Sequence, residues 1–269
     1  MAKRRKYGNR RQHAAPSIKL RTGATCMLWG VALLGLACAI AWGYKAEVMQ
    51  RDAARRAAAM QESAARFQMH GIDVSAHQGK IQWKQVADAT LHQRPISFVF
   101  IKCSEGATLQ DRQYITNLRE ARKNGLMVGA YHYYKPGRDI DQQARNFIKN
   151  SHLQAGDLVP VLDVEEAGRM GRQALANDIL RWMKVVGDHY KCVPILYAGH
   201  SFRRKYLNDA RLKDIPLWKA HYQKDSRVNG RGWTFFQYTE RGHVQGIRGY
   251  VDLNVFHGSP EDLQSLAIN

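Results

Sequence analysis

Residues 159–165 read VPVLDVE, and the reading of the fold starts there. A short apolar run dominated by valine is a strand, and this one carries two acids at its far end, Asp163 and Glu165. Residues two apart on a strand point to one face, with Cα atoms ~6.5 Å apart. Working outward, similar short runs recur at 72–75, 98–102, 127–133, 194–198, 217–220, 234–238 and 251–254. Amphipathic stretches separate the early ones, at 83–89, 112–124, 140–150 and 172–190. Eight strands alternating with helices in some 200 residues predict an α/β fold, a TIM-like barrel of parallel strands with its helices outside. The last three strands leave little room for long helices between them, so the second half is expected to be irregular.

In such barrels the chemistry sits at the C-terminal ends of the strands. Acids fall there repeatedly: Asp73 in the first run, Glu105 just after the second, Asp163 and Glu165 in the fourth, and Asp252 in the last. Two carboxylates at the mouth of an apolar strand are costly unless paired, hydrogen-bonded or neutralised. Mutual repulsion raises the pKa of one, leaving an acid beside a charged carboxylate. That pairing is what glycosidic-bond cleavage uses. The plainer reading of Asp163 and Glu165, a salt-bridged pair at a strand end, loses ground because Asp73 and Asp252 stand at other strand ends. The chain has no G-x-S-x-G elbow, no phosphate-binding Walker loop and no H-E-x-x-H. His132 and His221 stand alone at strand ends and read as structural, and Cys103 and Cys192 as packed small residues. No spacing suggests a metal site, and no cofactor is expected.

The net charge of +18 resembles that of a nucleic-acid binder, but its distribution does not. Residues 1–21 hold eight Lys/Arg and no acid, a basic tail. From 22 to 44 come 23 residues without a charge, TGATCMLWGVALLGLACAIAWGY. As a helix they span about 34 Å, enough for a ~30 Å hydrocarbon core. Trp42 and Tyr44 suit the headgroup level, and the basic block holds the N-terminus in the cytoplasm. The expectation is a single-pass signal anchor in the cytoplasmic membrane, with everything after it in the periplasm or outside. A cleaved signal peptide is the weaker alternative, since its apolar stretch runs only ~7–15 residues. Residues 45–69 contain neither Gly nor Pro and read as a helical stalk or linker, and residues 70–269 form the exported domain.

Six motifs in order give that domain a close resemblance to the glycoside hydrolase family 25 lysozymes, the Chalaropsis-type muramidases. They are GIDVSAHQG at 71–79, FVFIKCSEG at 98–106, GLMVGAYHYY at 125–134, PVLDVEE at 160–166, PLWKAHY at 216–222, and FFQYTERGHVQGIRGYVDLNVFHG at 235–258. The resemblance implies a barrel of five strand-helix units followed by three strands. It also implies cleavage of the β-1,4 bond between N-acetylmuramic acid and N-acetylglucosamine in peptidoglycan. By the same resemblance Glu165 is the general acid and then base, and Asp163 positions the substrate's 2-acetamido group. Asp73 and Asp252 are the other acids of the site, while Glu105 ranks lower. The aromatics Tyr131, Tyr133, Tyr197, Trp218 and Tyr222 suit stacking on sugar rings, with Gln237 as a polar contact. The partner expected is peptidoglycan, reached from the membrane and not through nucleic acid. The competing reading is a non-catalytic, membrane-anchored peptidoglycan-binding module with a lysozyme fold, against which the intact acids argue.

Export places Cys103 and Cys192 where disulfides persist. Yet the first follows a strand and the second precedes one, so in a parallel barrel they lie at opposite ends, roughly 13–17 Å apart at ~3.3 Å per residue. Bridged Cα atoms lie within ~7 Å. Two free thiols are expected, with Cys26 and Cys38 inside the apolar helix.

Overall fold

The computed structural model describes residues 22–222 and 232–269, with side chains from residue 36 onward except residue 37. The chain divides into two units, one ending at Arg55 and one running from Arg56 to Asn269. Helix α1 (Thr22–Ala64) forms the described part of the first unit and contributes its last turns to the second. Among the described residues no helix is long and apolar enough to cross a membrane. The uncharged stretch 22–44 lies largely outside the described side chains, as do the basic tail and Cys26. Of that stretch, Leu36, Ile40, Trp42 and Tyr44 are exposed. The predicted helix over the Gly- and Pro-free stalk runs to Ala64, with Arg51 paired to Glu47 one turn before it at 2.6 Å. Its final turns belong to the second unit, in whose core Met60 and Ala64 are buried.

The second unit carries strands β1 (Met69–Val74), β2 (Thr90–Leu91), β3 (Arg94–Glu105), β4 (Leu109–Gln110), β5 (Met127–Tyr133), β6 (Val161–Asp163), β7 (Ile195–Gly199), β8 (Leu217–Ala220), β9 (Phe235–Gly242) and β10 (Val251–Phe256). Its helices are α2 (Trp83–Asp88), α3 (Tyr114–Lys123), α4 (Ile140–Ser151), α5 (Arg172–Tyr190), α6 (His200–Tyr206) and α7 (Pro260–Gln264). The two-residue pieces β2 and β4 hook antiparallel onto β3. The other eight strands close a barrel, because β1 pairs with both β3 and β10. Helices α2 to α6 follow β1, β3, β5, β6 and β7, giving five strand-helix units and then three strands.

One expectation needs correction. The barrel is not parallel throughout: β10 runs antiparallel to β9 and to β1. Only residues 243–250 join β9 to β10, and a parallel return needs a crossover of about a dozen residues or more.

The alternation of β3 divides the core in two. Phe98 and Phe100 point into the barrel with Val161, Ile195, Trp218 and Phe235, while Val99 and Ile101 face the helix layer. The rings of Phe98 and Phe100 each lie 5.1 Å from that of Phe235. Their bulk dictates glycine on the neighbouring strands. A Cβ at Gly71 would stand 2.4 Å from the Phe98 ring, and one at Gly129 2.5 Å from Phe100. The last residues plug the end opposite the strand C-termini: Leu263 and Ile268 are buried, Val159 N donates to Leu266 O at 3.0 Å, and Ile268 N to Asp157 O at 2.8 Å.

Cys103 is buried and Cys192 half-buried, and neither forms a disulfide. Burial pushes the Cys103 thiol up to about 12 and that of Cys192 to about 11. Cys38 is also free and is exposed on α1.

Candidate active site

The barrel mouth opens on a cavity of about 230 Å³ lined by Asp73, Asp163, Glu165 and Asp252, with Tyr131, Tyr133, Tyr197, Trp218, Tyr222 and Gln237, while the lower-ranked Glu105 is not among its lining residues. Asp73 sits near the end of β1 and Asp163 ends β6. Asp252 comes near the start of β10, yet its antiparallel course sets it directly opposite Asp73. Strand β6 stops at Asp163, so Glu165 lies two residues past it and not on the strand as predicted. It reaches the same cavity from the loop.

Asp73 is the best held of the four acids. Its Oδ2 accepts from Gln237 Nε2 at 2.7 Å and from Asn254 Nδ2 at 2.8 Å. Gln237 is oriented in turn by the Tyr197 hydroxyl, which donates to its Oε1 at 2.7 Å, and by the Tyr222 hydroxyl on the same atom. Asn254 accepts from Trp218 Nε1 at 2.8 Å. Asp163 contrasts with this: its Oδ1 is buried and has no hydrogen-bond partner among the described residues. A buried carboxylate oxygen without a donor is costly, and this one lines the cavity.

All four carboxyl groups are shifted toward the protonated form, and burial is the first cause in each case. Burial lifts Asp73 to about 6 against the donors Asn254 and Gln237. Asp252 is pushed up to about 9 by burial and then by the charges of Asp73 and Glu240. Asp163 is held well above the usual range by burial, with Glu165 and Asp73 adding repulsion. Glu165 is raised by burial, partly offset by the Tyr197 hydroxyl, Lys102 and the Tyr133 hydroxyl. Repulsion was the cause expected from sequence; loss of water is the larger one.

Lys102 was missed. It follows Phe100 in the same inward phase and lines the cavity. A bulge in the pairing at Cys103 then lets Glu105 recover that side. Glu105 closes β3 and does not lie beyond it. It is bound by Lys102 at 2.6 Å and Lys135 at 3.4 Å, which hold its carboxyl below the usual range despite burial. That leaves it ionised and structural. Asn254, two residues after Asp252 and in phase with it, was also missed, as were Ser75, His77 and Glu240 at the rim. Period-two counting from Phe100 and Asp252 would have found Lys102 and Asn254.

The aromatics divide by exposure. Trp218 is only 2% exposed and packs on Phe100 at 4.7 Å and Tyr197 at 4.9 Å, so it supports the floor and offers no open face to a sugar. Tyr197 is likewise buried, whereas Tyr222 is 43% exposed at the rim. The Tyr133 ring carries the ammonium groups of Lys102 and Lys135 at 4.7 and 4.6 Å. His132 is structural as expected, held by Ser104 at 2.8 Å and stacked on Trp182. Among the described residues no three His, Cys, Asp or Glu side chains are grouped to hold a metal ion.

A protonated acid beside further carboxyl groups in a cleft can donate to a leaving oxygen and later accept from water. Comparison with known proteins points the same way. A protein of Escherichia coli (strain K12) called "Uncharacterized protein YegX" is 39% identical over 202 residues, 75% of this chain and 74% of that one. Lysozyme M1 of Streptomyces globisporus is 31% identical over 216 residues, covering 75% and 72%. The crystal structure of a bacterial lysozyme from Streptomyces coelicolor superposes with a TM-score of 0.68 at 30% identity, over 75% of this chain and 97% of that one. Residues 72–247 match the family described as glycosyl hydrolases family 25, and with the fold and the carboxyl-lined mouth in place, the chain belongs to that family.

Proposed function

We propose that this chain is a peptidoglycan muramidase that cleaves the β-1,4 bond between N-acetylmuramic acid and N-acetylglucosamine. The observation that carries the reading is the orphaned Oδ1 of Asp163 beside the raised carboxyl of Glu165. Asp163 Oδ1 accepts the N–H of the 2-acetamido group and aims its carbonyl oxygen at the anomeric carbon. As the acetamido oxygen bonds to the anomeric carbon, closing a ring, the C–O bond to the leaving sugar breaks and Glu165 gives the leaving glycosidic oxygen its proton. The cyclic intermediate is opened by a water whose proton returns to Glu165. Asp252, kept protonated, and Asp73, fixed by Gln237 and Asn254, shape the floor on which the sugar rests. The relatives named as lysozymes support the substrate class.

The uncharged stretch 22–44 behind eight basic residues supports a retained membrane anchor with the barrel outside the cytoplasm. Purified protein on isolated peptidoglycan, with mass analysis of the products, tests the activity: fragments ending in reducing N-acetylmuramic acid are expected, and reducing N-acetylglucosamine ends or intact glycan overturn it. A reporter fused after Asn269 tests the anchor, and activity of that reporter only in the cytoplasm defeats it.

A further inference from the structure

A second cavity, of about 480 Å³, lies between the β3–β4 turn and one face of α4. Its walls are Thr108, Gln110, Gln142, Arg145, Asn146 and Lys149, with no carboxylate among its lining residues. Gln142, Arg145 and Lys149 fall three and four residues apart, so they share that face. The wall is built and not incidental. Buried Asn146 donates to Gly106 O at 2.9 Å and Leu109 O at 3.1 Å, pinning the turn to the helix, and Asn150 braces Asn146 at 2.8 Å.

The charges there are not held in ion pairs, although Arg145 adds to the attraction that Asp141 feels chiefly from Arg181. Among the described residues neither Arg145 nor Lys149 forms an ion pair, and Asp141, one turn before Arg145, is engaged by Arg181 at 2.7 and 3.2 Å. Among the described residues the Gln110 and Gln142 side-chain amides have no hydrogen-bond partner, Gln142 bonding only through its backbone N to Asp139. A groove of two cations and several amides, without competing acids, fits a ligand carrying carboxylates and peptide groups.

Its place relative to the catalytic cavity narrows the ligand. Lys102 lines that cavity and Ala107 lines the groove, five residues apart along one strand and turn. The distance between them is at most about 17 Å, the length of four or five extended residues. We propose that this groove binds the acidic stem peptide of the same glycan strand whose sugars occupy the barrel mouth. The idea rests on the muramidase reading for the identity of the ligand. Arg145 and Lys149 then take the stem's carboxylates, and the glutamines its amide groups.

The test measures binding and hydrolysis separately on the full chain in detergent. The probe for binding is the free stem tetrapeptide released from peptidoglycan by an amidase, followed by calorimetry with wild type and with the double variant Arg145→Ala/Lys149→Ala. Saturable binding weakened at least tenfold in the double variant is expected. No binding, or equal binding by both proteins, overturns the proposal. So does an anionic phosphate polymer that displaces the peptide while binding the same residues more tightly, since the groove then serves that class. In the second arm kcat/KM is compared on peptide-bearing glycan and on glycan stripped of its stems. A preference for the former that collapses toward one in the double variant supports the groove, and a preference unchanged by the substitutions overturns it. Peptide binding without cleavage of either glycan leaves the groove standing and removes the muramidase reading. Thermal unfolding of the double variant within a few degrees of wild type excludes a folding defect, and the milder Arg145→Gln repeats the test if it does not.

Discussion

At the closed end of the barrel Phe98, Phe100 and Phe235 pack edge to face under Trp218, with Leu263 and Ile268 drawn in behind them. At the open end, a few strand residues away, Asp73, Asp163, Glu165 and Asp252 share one cavity, every one pushed toward its neutral form by loss of water. The first arrangement gains from everything it buries. The second is destabilised by what it buries, and it persists because the first holds the strands in register. The contrast separates residues that make the fold from residues that the fold supports at a cost.

Substitutions can break that separation or sharpen it. Glu165→Gln keeps size and hydrogen bonding but has no proton to give, so lytic activity on peptidoglycan is expected to fall by ~10²–10⁴-fold with unfolding temperature preserved. Activity within threefold of wild type would falsify its role as the acid. At the other end, Phe100→Ala should cost about 3–5 kcal/mol in urea unfolding, since it empties a site walled by Trp218, Phe235 and the backbone of Gly129. A cost under 1 kcal/mol would mean that the aromatic floor does not hold the barrel together. Gly129→Ala is subtler, adding one methyl 2.5 Å from a ring that has nowhere to go, and about 1–3 kcal/mol of lost stability is expected in the same experiment.

The last effect runs in the opposite direction and depends on pH. The Asp252 carboxyl titrates near 3.8 when free and about 9 in the fold, so the folded state keeps a proton that the unfolded chain gives up. Wild-type stability from this group therefore declines as pH rises from about 4 to about 9. Asp252→Asn removes that dependence. The variant should melt above wild type at pH 8, with the gap closing at pH 4. A lower melting temperature at both pH values would show that Asp252 contributes to the fold and does not burden it.

Much of this division can be read from the chain. Strands β5 and β8 and helix α5 have the predicted limits, each starting just after a Gly or Pro: Gly125, Pro216 and Gly171. The four acids and Gln237 were legible as polar residues at strand ends, where an apolar barrel has no other use for them. The antiparallel course of β10 was less so, although the eight residues before it were countable. What stayed hidden depends on depth. Trp218 at a strand end reads alike whether its ring faces a ligand or the floor, and only its 2% exposure decides. Likewise, repulsion between Asp163 and Glu165 follows from their spacing, but the larger desolvation requires knowing how little water reaches them.

Asp73 draws its two donors from Gln237 and Asn254, 164 and 181 positions further along the chain. Contacts of such sequence separation form late and slowly. A chain still emerging from its ribosome, with β9 and β10 unmade, holds Asp73, Asp163 and Glu165 but neither of the amides that fix Asp73 nor the strand that closes the barrel. The carboxyl-lined mouth thus acts as a completion check: its full geometry exists only after β9 and β10 have been made and folded into place.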